Sequence, residues 1–285
     1  MISEVVMLKR IITSLVAVCV LVPVLFLSGT WVLPIAISVV SIIAVYEMLK
    51  CMGVHKKYVV TAPLYLAAAA VPVLLRGFDN DFNVAKIVFI AAAVYLIMLF
   101  AAVVWSHGKF HFADAMAMFT VSAYIIAAMN SIIYVRDFAN GGKYIYLLIF
   151  LGAWMTDIFA YFTGVFIGKH KLIEDVSPKK TIEGSIGGIF FCALSFVAFG
   201  IIVDVFFEAN ANIVFLAISG VAISLISQIG DLIMSVIKRH YGIKDYGKLF
   251  PGHGGMLDRF DSVLAVALGM TAICMLSGML GINLI

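Results

Sequence analysis

The chain reads as an all-α, polytopic integral membrane protein. Its 285 residues are 64% hydrophobic and only 12% charged, about half the charged fraction of a soluble domain. Apolar runs long enough to cross a bilayer recur from one end to the other, and the basic residues gather in the loops of one side. Together these features exclude a soluble enzyme. A net charge of +3 is too small to argue for a nucleic-acid partner.

A helix needs about 20 apolar residues to cross the hydrocarbon core, and backbone groups in lipid must find partners within their own segment. On that ruler nine spans are expected, at 11–27, 30–49, 59–75, 86–105, 113–135, 144–163, 187–207, 212–236 and 262–283. The first run follows Lys9-Arg10 like an export signal. A second run follows across Ser28-Gly29 without a convincing cleavage pattern, so the two read as a tight helical hairpin. With the N-terminus cytoplasmic, only Arg76, Lys86, Arg136 and Lys143 of the 19 lysines and arginines fall on the far side, as the positive-inside rule requires. The same orientation puts the two long polar loops, 164–186 and 237–261, in the cytoplasm. Residues 1–110 carry no chemical motif and read as scaffold; 111–285 read as the catalytic part of one membrane domain. Cys19, Cys51, Cys192 and Cys274 form no CxxC pair and read as small apolar side chains.

Chemistry concentrates between Ser227 and Ser262. Asp231 lies near the end of the eighth span, and an acid at membrane depth is by default a functional candidate. Ser227, Asp231, Ser235 and Lys238 fall along one helical face. Beyond the helix come Lys244-Asp245, then Pro251-Gly252-His253-Gly254-Gly255, then Asp258-Arg259 and Asp261. Glycines that dense weaken regular structure; they let backbone N–H groups turn toward an anion. Asp258 and Asp261, three apart, share a face, where they can cap free N–H groups or ligate a divalent cation. Upstream, Ser177-Pro178-Lys179-Lys180-Thr181 places two lysines between hydroxyls, an anion-binding composition, with Glu183-Gly184 and Gly187-Gly188 expected to turn the chain into the seventh span. Asp157, in the sixth span, is a second buried-acid candidate, with a helix–helix hydrogen bond as its structural alternative. Carboxylates for a metal and cations for phosphate point to metal-assisted phosphoryl chemistry.

The array Ser235, Ile237, Lys238, Arg239, Lys244-Asp245, Gly247, Phe250-Pro251, His253-Gly254-Gly255, Asp258-Arg259 and Asp261 resembles the signature of phosphatidate cytidylyltransferases, also called CDP-diacylglycerol synthases. The resemblance continues upstream through Trp154, Asp157, the Ser177–Gly184 loop and Ser227-Gln228, Gly230-Asp231, covering roughly the C-terminal half.

It implies cytidylyl transfer from CTP to phosphatidate, with CDP-diacylglycerol and pyrophosphate as products, in a multi-pass protein of the cell membrane. It further implies Asp231, Lys238, Arg239, Asp258 and Asp261 as catalytic residues. Asp231, Asp258 and Asp261 would hold Mg²⁺, as one ion or two. Ser177, Lys179, Lys180, Thr181, Lys244, His253, Gly254, Gly255 and Arg259 would bind substrate. The oligomeric state, a homodimer among the options, is left open. Two other readings share these features. CTP-dependent polyprenol or phytol kinases use a similar scaffold, and the intact signature argues against them. A transporter also places acids in the membrane, but no symmetric pair of broken helices is present. The motif of CDP-alcohol phosphotransferases is absent.

Overall fold

In the computed structural model, which describes residues 2–78, 81–139, 141–252 and 254–285, each of the nine expected runs is helical. The helices are α1 (Ile2–Phe26), α2 (Val32–Cys51), α3 (Tyr58–Gly77), α4 (Asp81–Trp105), α5 (Phe112–Arg136), the short α6 (Gly142–Ile145), α7 (Leu147–Ile167), α8 (Ile182–Phe207), α9 (Ile213–His240) and α10 (Leu257–Leu280). Among the described residues, eight helical segments are long and apolar enough to cross a membrane, α6 and α7 counting as one; α1 adds a shorter apolar stretch, Leu15–Phe26. The protein is therefore a multi-pass, all-α membrane protein. The described residues also form an antiparallel ribbon of β1 (Lys171–Ile173) and β2 (Ser177–Thr181).

Among the helix ends that depart from expectation, three have a clear local reason. Helix α8 starts at Ile182 rather than 187, because the Thr181 hydroxyl accepts the Gly184 N–H at 3.1 Å as an N-cap. Glu183, Gly184, Gly187 and Gly188 thus lie inside the helix and do not turn the chain. The glycines permit close approach to α7: a Cβ at Gly187 would strike Thr163, and one at Gly184 the Ala160 carbonyl. Helix α9 runs on to His240 and closes with Gly242 in the left-handed region (φ 66°). There the Gly242 N–H reaches the Arg239 carbonyl and the Ile243 N–H the Lys238 carbonyl, the Schellman pattern. Helix α10 begins at Leu257 rather than 262, so Asp258 and Asp261 are both helical.

The chain forms two compact units. The first comprises Met1–Ile133 and Asp245–Arg259, the second Tyr134–Lys244 and Phe260–Ile285. In the first, α2 packs on α1 and α3, and α3 on α4, around a core that includes Leu33, Met48, Leu49 and Leu99. The Arg76 guanidinium donates to the carbonyls of Ser28 and Thr30, fixing the end of α3 to the α1–α2 turn. In the second unit, α8 packs on both α7 and α9. Polar pairs join these helices where water is scarce: Thr156 to Ser224 at 3.0 Å, and the Gln228 amide to the Ser185 carbonyl at 3.3 Å. The ribbon is fastened to the start of α8 by Glu183, whose carboxylate accepts the N–H groups of Lys169 and His170 and lies 2.6 Å from the His170 ring.

Candidate functional site

In the second unit four elements bring charge together. Strand alternation in β2 leaves Lys179 exposed and turns Lys180 the other way, where its ammonium lies 2.5 Å from Asp231 Oδ2 on α9. One and two turns further along α9, Ser235 and Lys238 follow on the same face. Lys238 Nζ is 3.9 Å from Asp261 Oδ2 on α10. Next to Asp261, the Ser262 hydroxyl donates to Asp157 Oδ2 on α7 at 3.1 Å. Asp157, Asp231 and Asp261 are close enough to act on one another electrostatically. The approach of α9 to α10 depends on Gly230, where a Cβ would run into Ala265. The glycine beside Asp231 therefore marks close approach of another helix. The Ser262 bond to Asp157 joins α10 to α7, the structural alternative for that acid.

Charges at this depth persist only when paired. Three carboxylates stand with two lysines here, and hard oxygen donors of that kind suit a hard divalent cation. Among the described residues, no group of three or more His, Cys, Asp or Glu side chains is already arranged around a common metal position. Asp231 and Asp261 hold lysines instead.

The first unit contains a different constellation. Asp258 is buried, and its Oδ2 accepts the N–H groups of Tyr246 at 2.8 Å and Gly255 at 2.9 Å. Beside it is Glu47 of α2, 5% exposed, which accepts the N–H groups of Met256 at 3.0 Å and Leu257 at 2.9 Å. A Cβ on Gly247 or Gly255 would collide with the Glu47 carboxylate. Gly252 and Gly254 hold left-handed backbone (φ 82° and 85°), and the Phe250 N–H closes the turn on the Gly254 carbonyl. The glycine-rich segment does turn N–H groups toward anions, and in the structure those anions are the protein's own carboxylates.

The remaining sequence candidates fall outside these contacts. Lys179, Arg239, Lys244 and Arg259 are exposed, Ser177 opens β2, and Thr181 caps α8. His253 lies outside the described residues. Sequence reading passed over Glu47, although one signal was present: it is the lone carboxylate of the apolar run 30–49.

Residues 8–277 match the cytidylyltransferase family. The chain is 34% identical over 257 residues to a protein of Staphylococcus haemolyticus named phosphatidate cytidylyltransferase, and 35% identical over 258 residues to one of Staphylococcus aureus with the same name. A Staphylococcus epidermidis protein of that name is 33% identical over 258 residues. Each alignment covers 90% of this chain and 95% of the relative.

Proposed function

The chain belongs to the cytidylyltransferase family, and from that premise we propose that it transfers the cytidylyl group of CTP to phosphatidate, forming CDP-diacylglycerol and releasing pyrophosphate. The observation that carries this reading is the Lys180–Asp231 and Lys238–Asp261 arrangement, built from β2, α9 and α10 and including two residues of the family signature. A phosphate oxygen of the lipid attacks the α-phosphorus of CTP, and the bond to the bridging oxygen of the β-phosphate breaks. Both reactants are anions, so their approach is repulsive until positive charge lies between them. Lys180 and Lys238, now on carboxylates, are the cations that incoming phosphates would compete for. Exposed Lys244 and Arg239 add charge for the triphosphate. The attacking oxygen is already ionised, so the reaction needs no strong general base, and transfer is direct and in line, without a covalent enzyme intermediate. Mg²⁺, when bound, supplies neutralisation of the phosphate oxygens and of the leaving pyrophosphate. Asp231 and Asp261 are the residues that would hold it. Asp258, one turn before Asp261 on α10, is the third carboxylate of the signature, with one oxygen already engaged by loop amides.

The same reading places the reaction at the cytoplasmic face of the cell membrane, where CTP is dissolved and a two-chain lipid can enter sideways between helices. Purified protein given CTP labelled in the cytidine and phosphatidate should put the label into lipid and release pyrophosphate. Label appearing in lipid only from the γ-phosphate of CTP would overturn the reading in favour of a kinase. In a cysteine-free background, Phe78→Cys and Asp137→Cys should react with an impermeant thiol reagent added outside cells, and Asp175→Cys and Lys248→Cys should not; the reverse pattern would invert the orientation.

A further inference from the structure

The first unit joins an N-terminal helix to the family signature through a carboxylate whose purpose neither the packing nor the signature explains. Glu47 is buried near the end of α2, more than 200 residues from the amides it accepts. A buried carboxylate is costly unless hydrogen bonds satisfy it, and here both oxygens are satisfied by consecutive backbone donors at the entry to α10. Those donors are among the N–H groups that a helix leaves without internal partners, and the positive end of the helix dipole adds to the attraction. Gly247 and Gly255 give the carboxylate its room. Asp258 then gathers the amides of Tyr246 and Gly255, so two acids hold four amides at the base of the 245–257 segment. The Phe250–Gly254 turn rises from that base.

We propose that Glu47 is a positioning residue for the reaction. It seats the base of the glycine-rich segment so that the signature residues Asp258 and Arg259 leave it at the start of α10 in fixed register. The inference rests on the cytidylyl-transfer reading given above and extends it to a helix that carries none of the signature. An anionic bidentate acceptor is required. Glutamine offers one acceptor oxygen, and its amino group would face a second N–H, donor against donor. Aspartate keeps both oxygens and the charge on a stem shorter by one methylene.

The test uses the full chain in lipid nanodiscs, with amide hydrogen exchange over 245–257 measured beside steady-state kinetics for both substrates. Glu47→Gln is expected to speed exchange at Met256 and Leu257 by about tenfold or more, the scale of one lost charge-assisted bond, while α7 and α8 keep their protection. Its kcat should fall by about tenfold or more with KM for phosphatidate changed less than about twofold, because the loop's alignment is disturbed and not its affinity. Glu47→Asp should recover part of both, and it carries the same two measurements if Glu47→Gln does not insert. Faster exchange with unchanged kcat would reduce Glu47 to a structural role and overturn the proposal. Unchanged exchange in both variants would remove the clamp itself. Wild-type protein that transfers no cytidylyl group would instead overturn the functional reading, and with it the catalytic half of the proposal, while the exchange measurement still decides the clamp.

Discussion

The acids of the two units differ in what they hold. In the first unit, Glu47 and Asp258 accept backbone N–H groups. In the second, Asp231 and Asp261 face the side-chain cations Lys180 and Lys238. An amide is fixed in the chain and has no alternative partner once buried, so a carboxylate bound to amides shapes the backbone. A lysine at the end of a flexible stem can transfer to a competing anion, so a carboxylate bound to lysine can exchange partners during a reaction. The same functional group therefore fixes backbone in one unit and pairs with side-chain cations in the other.

The largest test of that contrast pairs Asp231→Asn with Asp258→Asn. Asp231→Asn should lower turnover on the order of 100-fold or more, the scale of losing one preorganised electrostatic group. Asp258→Asn keeps a carbonyl oxygen for the same two amides and should lose about tenfold less. Equal losses in a CTP-incorporation assay would collapse the distinction and make Asp258 a direct participant. Next in size, Lys180→Ala leaves Asp231 without its counter-charge and removes a cation for phosphate; turnover should fall about tenfold or more. Normal kinetics for this variant would show that the ion pair is only structural.

A stability measurement probes the first unit separately. Gly255→Ala pushes a methyl group into the Glu47 carboxylate and should destabilise the protein by about 1–3 kcal/mol, read as a lower thermal midpoint in detergent. Gly278→Ala on α10, where the nearest atom is 3.9 Å from the added carbon, should be neutral or slightly stabilising. The smallest effect is expected at exposed Lys179, where alanine should raise KM for phosphatidate only a few-fold and leave KM for CTP unchanged. If CTP use is what weakens, the ribbon serves the nucleotide.

The helices were legible because a span declares itself by twenty apolar residues, and Asp231 because its charge is so exceptional there. Helix ends were less legible. Gly187-Gly188 read as a turn, since glycine marks both chain reversal and close helix packing, and only the Thr163 and Ala160 contacts decide between them. Ser177–Thr181 was visible as a cationic segment, but the ribbon that separates the surroundings of Lys179 and Lys180 depends on pairing with Lys171–Ile173. The anion facing Gly255 could not be read locally at all, because it comes from α2.

That distance has a consequence for how the protein is made. Met256 follows Glu47 by 209 positions, and at about 5–20 residues per second the ribosome needs roughly 10–40 s to supply the partner amides. During that interval the second helix is already synthesised while its acid has no α10 to bind. Glu47 stands four positions before the end of α2, with Lys50 in the final turn, near enough to the membrane boundary for interfacial water to solvate it. The nascent chain can thus hold an acid at the edge of the bilayer and draw it into the interior only when its last helix arrives.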